Sequence, residues 1–121
     1  MKILITGGNG YIGSHTCIEL IKAGYEIIVV DNLCNSSLES LKRVESLVGC
    51  SIPFYKVDVR DKKGLTGIFE KHSIDGVIHF AGLKSVGESI ERPIDYYKTN
   101  VGGTFVLASV MLEFGCKTFV F

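Results

Sequence analysis

Net charge, metal-ligand clusters and long apolar runs are all missing from this sequence, and each absence closes off a class of function. Thirteen Lys and Arg residues cancel thirteen Asp and Glu, leaving no electrostatic footprint for nucleic acid or an anionic membrane surface. No apolar stretch approaches the roughly 20 residues that span a bilayer. The opening run Ile3-Leu4-Ile5 is broken by Gly7 and Gly8 too early to serve as a signal peptide. Cys17, Cys34, Cys50 and Cys116 lie far apart without a C-x-x-C pair, and His15, His72 and His79 are scattered. That spacing argues against a metal site and for reduced, mostly buried thiols in the cytoplasm. No repeat, low-complexity tract or linker divides the 121 residues, a length for one compact domain rather than two.

What is present is an alternation of short apolar runs with segments of helical period. The runs are Lys2 to Thr6, Glu26 to Val30, Ile52 to Val57, Gly76 to Phe80 and Lys117 to Phe121. Pro53 suits the third run to an edge strand. Between the runs, a helix is expected over Tyr11 to Ala23, with Ile12, Thr16, Ile18, Glu19 and Ile21 at three-to-four spacing and Gly24 at its C-terminal stop. Ser36 and Glu39 have capping-box form and open a second helix through Leu41, Val44 and Leu47. Asp61 caps a third that carries Leu65, Ile68 and Phe69. Ala81 to Glu91 reads as a loop, and Pro93 begins a long helix to Phe114. Continuously apolar strands are covered on both faces, and right-handed crossovers place helices on two sides. The expected fold is α/β, a doubly wound Rossmann-type parallel sheet of strand order 3-2-1-4-5 that ends before a sixth strand.

Gly7, Gly10 and Gly13 form G-x-x-G-x-x-G, while Gly8, Gly10 and Gly13 also satisfy G-x-G-x-x-G. The motif follows a strand and opens a helix, and an acidic residue, Asp31, ends the next strand. That context gives the motif its meaning. Glycines let the backbone approach a pyrophosphate without a Cβ clash, and the helix start offers unpaired N–H groups and a positive dipole end. A P-loop requires Lys followed by Ser or Thr after the last glycine; Ser14-His15 stand there instead, which disfavours ATP or GTP hydrolysis. Asp31, eighteen positions beyond Gly13, can accept both ribose hydroxyls and would repel a 2′-phosphate, so the cofactor is NAD rather than NADP. The next Arg along the chain is Arg43. Asp58 either hydrogen-bonds the adenine amino group or simply precedes the Asp61 cap.

Thr6 to His15, Asp31-Asn32-Leu33-Cys34-Asn35-Ser36 and His79 to Ser89 together resemble the extended short-chain dehydrogenase/reductase family, and within it the UDP-glucose 4-epimerases. The resemblance implies backbone contacts from Tyr11 and Ile12 to the pyrophosphate. It also implies a ribose site from Asp31 through Asn32, Asn35 and Ser36, with Asp58 and Val59 flanking the adenine. Phe80, Ala81, Gly82 and Lys84 would line the dinucleotide, and Asn100 would sit near the nicotinamide. Thr99 stands where epimerases often carry Asn. The implied activity is removal and return of hydride at C4 of a UDP-sugar by a full-length enzyme that can be a homodimer.

None of the five tyrosines has Lys four positions later. The family's Tyr-x-x-x-Lys pair is therefore missing, and its Ser would fall beyond Phe121. We expect residues 1–121 to be an incomplete NAD-binding domain without its substrate domain, a fragment with no catalytic residue and no activity alone. Other readings are a nucleotide-sugar dehydratase fragment, a non-catalytic NAD- or partner-binding module, and an S-adenosylmethionine-dependent methyltransferase. Lys84 to Ser89 favours the epimerase. Lys56, Arg60, Lys62 and Lys63 read as a solvated face, and Tyr96, Tyr97 and Phe105 as core packing.

Overall fold

A computed structural model describes residues 1–121. The strands are β1 (Lys2–Thr6), β2 (Glu26–Val30), β3 (Phe54–Tyr55), β4 (Gly76–His79) and β5 (Thr118–Val120). All pairings are parallel, in the order β3-β2-β1-β4-β5. The register sets Thr6 level with both Val30 and His79, and Val30 level with Tyr55. The residues that follow β1, β2 and β4 therefore emerge side by side at one edge of the sheet. The order in which successive strands are added reverses between β1 and β4, opening the crevice where open α/β sheets place their ligands.

Alternation along the strands divides the core in two. Leu4, Ile28, Val30 and Val77 pack against Leu65, Ile68 and Phe69 of α3 (Lys62–Lys71) and Leu107, Val110 and Met111 of the helix Gly103–Glu113. Ile3, Ile5, Ile27 and Val29 point the other way, onto Cys17 of α1 (Tyr11–Lys22) and Leu41 and Val44 of α2 (Leu38–Val48). Each fully buried Leu, Ile or Val contributes about 1.5–3 kcal/mol, so the sheet is held by burial on both faces.

Several local expectations are corrected. The buried side of α1 is Gly13, Ser14 and Cys17; Ile12 is 53% exposed, because small residues bring the helix backbone close to the sheet. Ser36 does not cap α2. Ser37 holds the N-cap position without a side-chain bond, the Ser36 hydroxyl is spent on Asp31, and Leu47 is exposed. Asp61 does cap α3, accepting from Gly64 N at 3.0 Å. The segment expected as a loop contains α4 (Val86–Glu91), capped by Ser85; Ser85 and Glu88 have the same capping-box spacing as Ser36 and Glu39. The long helix is interrupted: α5 (Pro93–Tyr96) leads into a π-helical turn, Tyr97–Gly102, before α6 (Gly103–Glu113). Tyr97 and Phe105 are exposed rather than in the core. Two thiols, Cys17 and Cys116, are buried, whereas Cys34 and Cys50 are exposed. Arg60 and Lys62 are paired with Asp58 and Glu113 rather than merely solvated. No helix is long and apolar enough to cross a membrane.

Candidate functional site

A cavity of about 550 Å³ opens at the sheet edge where β1, β2 and β4 end, within the size range of small-molecule sites. Its first wall is the turn between β1 and α1. Gly7 has φ +69°, and its N–H is tied to Val30 O at 2.8 Å. A Cβ there would lie 2.7 Å from Ala81 N, so only glycine lets the turn lie flat against the segment after β4. A Cβ on Gly13 would run into the Gly7 carbonyl and come within 2.9 Å of Gly8 Cα. Gly10 differs: an added Cβ meets only Gly7 O, at 3.2 Å, and its residue faces the cavity. Gly10 gives α1 no side-chain cap, and the helical ladder begins with Ser14 N to Gly10 O. The amides of Tyr11, Ile12 and Gly13 therefore have no helical acceptor. Such a helix start attracts an anion.

The second wall follows β2. Asp31 is buried and accepts from Asn9 N at 3.1 Å, Leu33 N at 2.9 Å and the Ser36 hydroxyl at 2.8 Å. A carboxylate has about four acceptor directions, so the turn uses three and leaves about one. Asn9 was not singled out from the sequence. It is buried, its Nδ2 donates to Ser37 O at 3.3 Å, and its Oδ1 has no partner. Leu33 has φ +61°, an uncommon conformation for a non-glycine residue. Asn32, Cys34, Asn35 and Ser36 complete this wall, with Val57 and Val59 from the β3–α3 connection.

Asp58 is not part of the lining. Arg60 grips it through Nε and Nη2, both at 2.8 Å, and through its own backbone N at 2.9 Å; Asn32 Nδ2 donates to it at 2.9 Å. The Arg60 guanidinium holds the Asp58 carboxyl well below the usual carboxylate range, against the opposing effect of burial. Arg60 reaches the neighbourhood of Asn32 through the fold, which distance along the chain did not suggest.

The third wall is Phe80, Ala81, Gly82, Leu83, Lys84 and Ser85. Lys84 is exposed and takes part in no ion pair. Asn100 also lies outside the lining: it clasps Leu83, with Oδ1 accepting from Leu83 N at 2.8 Å and Nδ2 donating to Leu83 O at 2.9 Å. Tyr96 and Glu88, not singled out as site residues, and Thr99, which stands where epimerases often carry Asn, join this side. The Tyr96 hydroxyl accepts from Ser85 N and donates to Glu88 Oε2, each at 2.9 Å. Partial burial and the adjacent Glu88 carboxylate push this phenol upward, so it stays protonated and braces the loop. No group of three or more His, Cys, Asp or Glu is placed to hold a metal.

The arrangement combines a backbone anion cradle, a buried carboxylate one strand away and one unpaired ammonium on the opposite wall. Comparison with known proteins shows the family. Residues 3–121 match the NAD dependent epimerase/dehydratase family. The chain is 52% identical to the UDP-glucose 4-epimerase of Bacillus subtilis over 121 residues, all of this chain and 36% of that protein. It is 50% identical to a UDP-glucose 4-epimerase of Klebsiella pneumoniae, covering all of this chain and 87% of that relative. A crystal structure of UDP-glucose 4-epimerase from Bifidobacterium longum in complex with NAD+ and UDP superposes with a TM-score of 0.96 at 47% identity, over 98% of this chain and 36% of that one. The chain thus spans little more than a third of the length of the Bacillus and Bifidobacterium relatives. The chain belongs to the NAD dependent epimerase/dehydratase family, and within it is similar to the UDP-glucose 4-epimerases.

Proposed function

We propose that this chain is the NAD-binding portion of a UDP-glucose/UDP-galactose 4-epimerase. The observation that carries the reading is the glycine cradle beside Asp31 at one sheet edge. Gly7 and Gly13 leave no room for a side chain, while Gly10 leaves a gap that a pyrophosphate can approach and a Cβ would fill. NAD fits this set of groups, since a neutral ribose hydroxyl and a phosphate pair match one free carboxylate direction and three free amides. A 2′-phosphate would meet Asp31, with Arg60 already committed to Asp58.

In this reading the amides of Tyr11, Ile12 and Gly13 hold the pyrophosphate, and Asp31 orients the adenosine ribose. Its remaining acceptor direction suits one hydroxyl; taking both requires the Ser36 hydroxyl to let go. Asn32, held by Asp58, and Asn35 flank the ribose, and Val59 packs beside the adenine. Phe80 to Lys84 form the wall for the second half of the dinucleotide. Asn100 acts on it by fixing Leu83. When bound, NAD supplies the acceptor and donor of hydride for C4 of a UDP-sugar. With no Tyr-x-x-x-Lys among its 121 residues, this chain binds and orients but holds no base to take the sugar's O4 proton. A dehydratase shares these binding parts; the Lys84 to Ser89 segment and the relatives' names favour the epimerase. Free cysteines suit the cytoplasm.

Tyr97, Val101, Phe105 and Leu112 recur at helical spacing and are all exposed. That apolar stripe supports pairing with a second copy. Sedimentation giving a monomer at micromolar concentration would remove that part of the reading.

The main test is thermal unfolding with NAD or S-adenosylmethionine. At a hundredfold excess over Kd a ligand stabilises by about 2.7 kcal/mol, enough to raise Tm by several degrees. NAD should do so and S-adenosylmethionine should not. An equal shift with both, or none with NAD, overturns the proposal.

A further inference from the structure

Beneath the Phe80–Lys84 wall runs a chain of polar groups that the binding reading does not use. His79, the last residue of β4, is buried. Its Nδ1 lies 2.6 Å from the hydroxyl of Thr6, the last residue of β1, and its Nε2 lies 3.0 Å from the hydroxyl of Thr104 on α6. The Thr104 hydroxyl donates its only hydrogen to the Asn100 carbonyl at 2.6 Å. Thr104 must therefore accept from His79, which puts the ring proton on Nε2. A neutral ring then has a bare Nδ1, which accepts from the Thr6 hydroxyl. Thr6 Oγ1 in turn accepts from Ala81 N at 3.3 Å. The bonds run in one direction, from Ala81 N–H through Thr6, His79 and Thr104 to Asn100.

Both ends of this relay grip one loop. Ala81 is held at the near end by Thr6, and Asn100, at the far end, clasps Leu83 through both its backbone groups. We infer that His79, as the neutral Nε2–H tautomer, is a positioning residue that locks the Ala81–Leu83 loop in the shape a dinucleotide requires. It touches no ligand itself. The part of this inference that concerns ligand affinity rests on the NAD-binding reading; the part that concerns the loop does not.

Only the neutral form completes the relay, because an imidazolium would donate from both nitrogens and leave the Thr6 hydroxyl hydrogen without an acceptor. The groups packed around the ring carry no charge: Thr6 from β1, Thr104 from α6, and the Phe119 and Phe121 rings, 6.1 and 5.6 Å away, from the β5 segment. Burial alone pushes this histidine below its ordinary value, in keeping with a ring that remains neutral at pH 7.

The test uses the folded protein with Thr104→Val, which keeps the side chain's shape but removes the hydroxyl, and Thr104→Ser, which restores it. Nitrogen NMR of the His79 ring should report the Nε2–H tautomer in the wild type. Thr104→Val should accelerate hydrogen exchange at the Ala81 and Leu83 amides about tenfold relative to the β1 and β2 amides, and weaken NAD about tenfold, as expected for a broken buried hydrogen bond. Thr104→Ser should recover both. An Nδ1–H or charged ring at pH 7, or unchanged exchange at Ala81 and Leu83 in Thr104→Val, overturns the inference. If the wild type fails to bind NAD while exchange responds as expected, the NAD-binding reading falls and the relay stands.

Discussion

Replacing Gly10 by Ala separates binding from folding more cleanly than any other change in the cradle. Gly10 has φ −72° and ψ 174°, an extended conformation that alanine adopts without strain. The new Cβ meets one backbone atom, Gly7 O at 3.2 Å, a contact relieved by a shift of a few tenths of an ångström. Against that small cost stands the reduced freedom of the unfolded chain, worth about 0.4–1 kcal/mol. The stability of Gly10→Ala should therefore stay within about 1 kcal/mol of the wild type. Gly10 nevertheless lines the cavity at the start of α1, so in the proposed binding mode the methyl group would stand between the free amides and an approaching phosphate. Losing even two hydrogen bonds to a charged group, at about 1.5–3 kcal/mol each, weakens binding at least a hundredfold. Gly13→Ala is the contrasting control. Its Cβ collides with the backbone of Gly7 and Gly8, so it should lose about 1–3 kcal/mol of stability as well as affinity. Denaturant unfolding and calorimetric titration with NAD would measure both quantities. Unimpaired NAD binding by a folded Gly10→Ala protein would refute the backbone cradle.

Three further outcomes follow from the structure. Arg60→Ala should raise the Asp58 carboxyl toward its ordinary value near 3.9, as followed by carbon NMR. Because Arg60 depresses the folded-state value, the stabilisation is present above pH ~4 and is lost as pH falls through the folded value, so the variant's stability should fall less with acid over that range than the wild type's. Gly67→Ala lies inside α3 with open space around the new Cβ and should stabilise by about 0.5–1 kcal/mol in thermal unfolding. Maleimide labelling at pH 8 should modify the exposed Cys34 and Cys50 but not Cys17, whose thiol burial pushes up to about 12. NAD should slow labelling at Cys34, which lines the cavity, and leave Cys50 unchanged.

The strand order and both helical layers were legible in the sequence because they depend on period and order alone. Short, β-branched runs such as Ile27 to Val30, bounded by turn residues, fit doubly covered strands, and Gly7, Gly13 and Asp31 occur at the spacing that a strand–turn–helix unit imposes. What stayed hidden depends on tertiary partners. Ser36 has the sequence form of a helix cap, yet its hydroxyl has a better acceptor in the buried Asp31 carboxylate. Asn100 was expected near the cofactor, but the π-helical turn in which it sits goes with a side chain turned onto Leu83. No run of helical spacing announces such a turn. In the sequence His79 is one of three scattered histidines; the level ends of β1 and β4 put Thr6 beside it. The α4 cap at Ser85 could have been found, since Glu88 stands three residues on.

The most direct measurement is calorimetric titration of the folded protein with NAD and NADP, in parallel with Asp31→Ala. The account predicts binding of NAD, at least tenfold weaker binding of NADP, and a large loss of NAD affinity in the variant. Absence of heat with NAD, or equal affinity of wild type and Asp31→Ala, would contradict it.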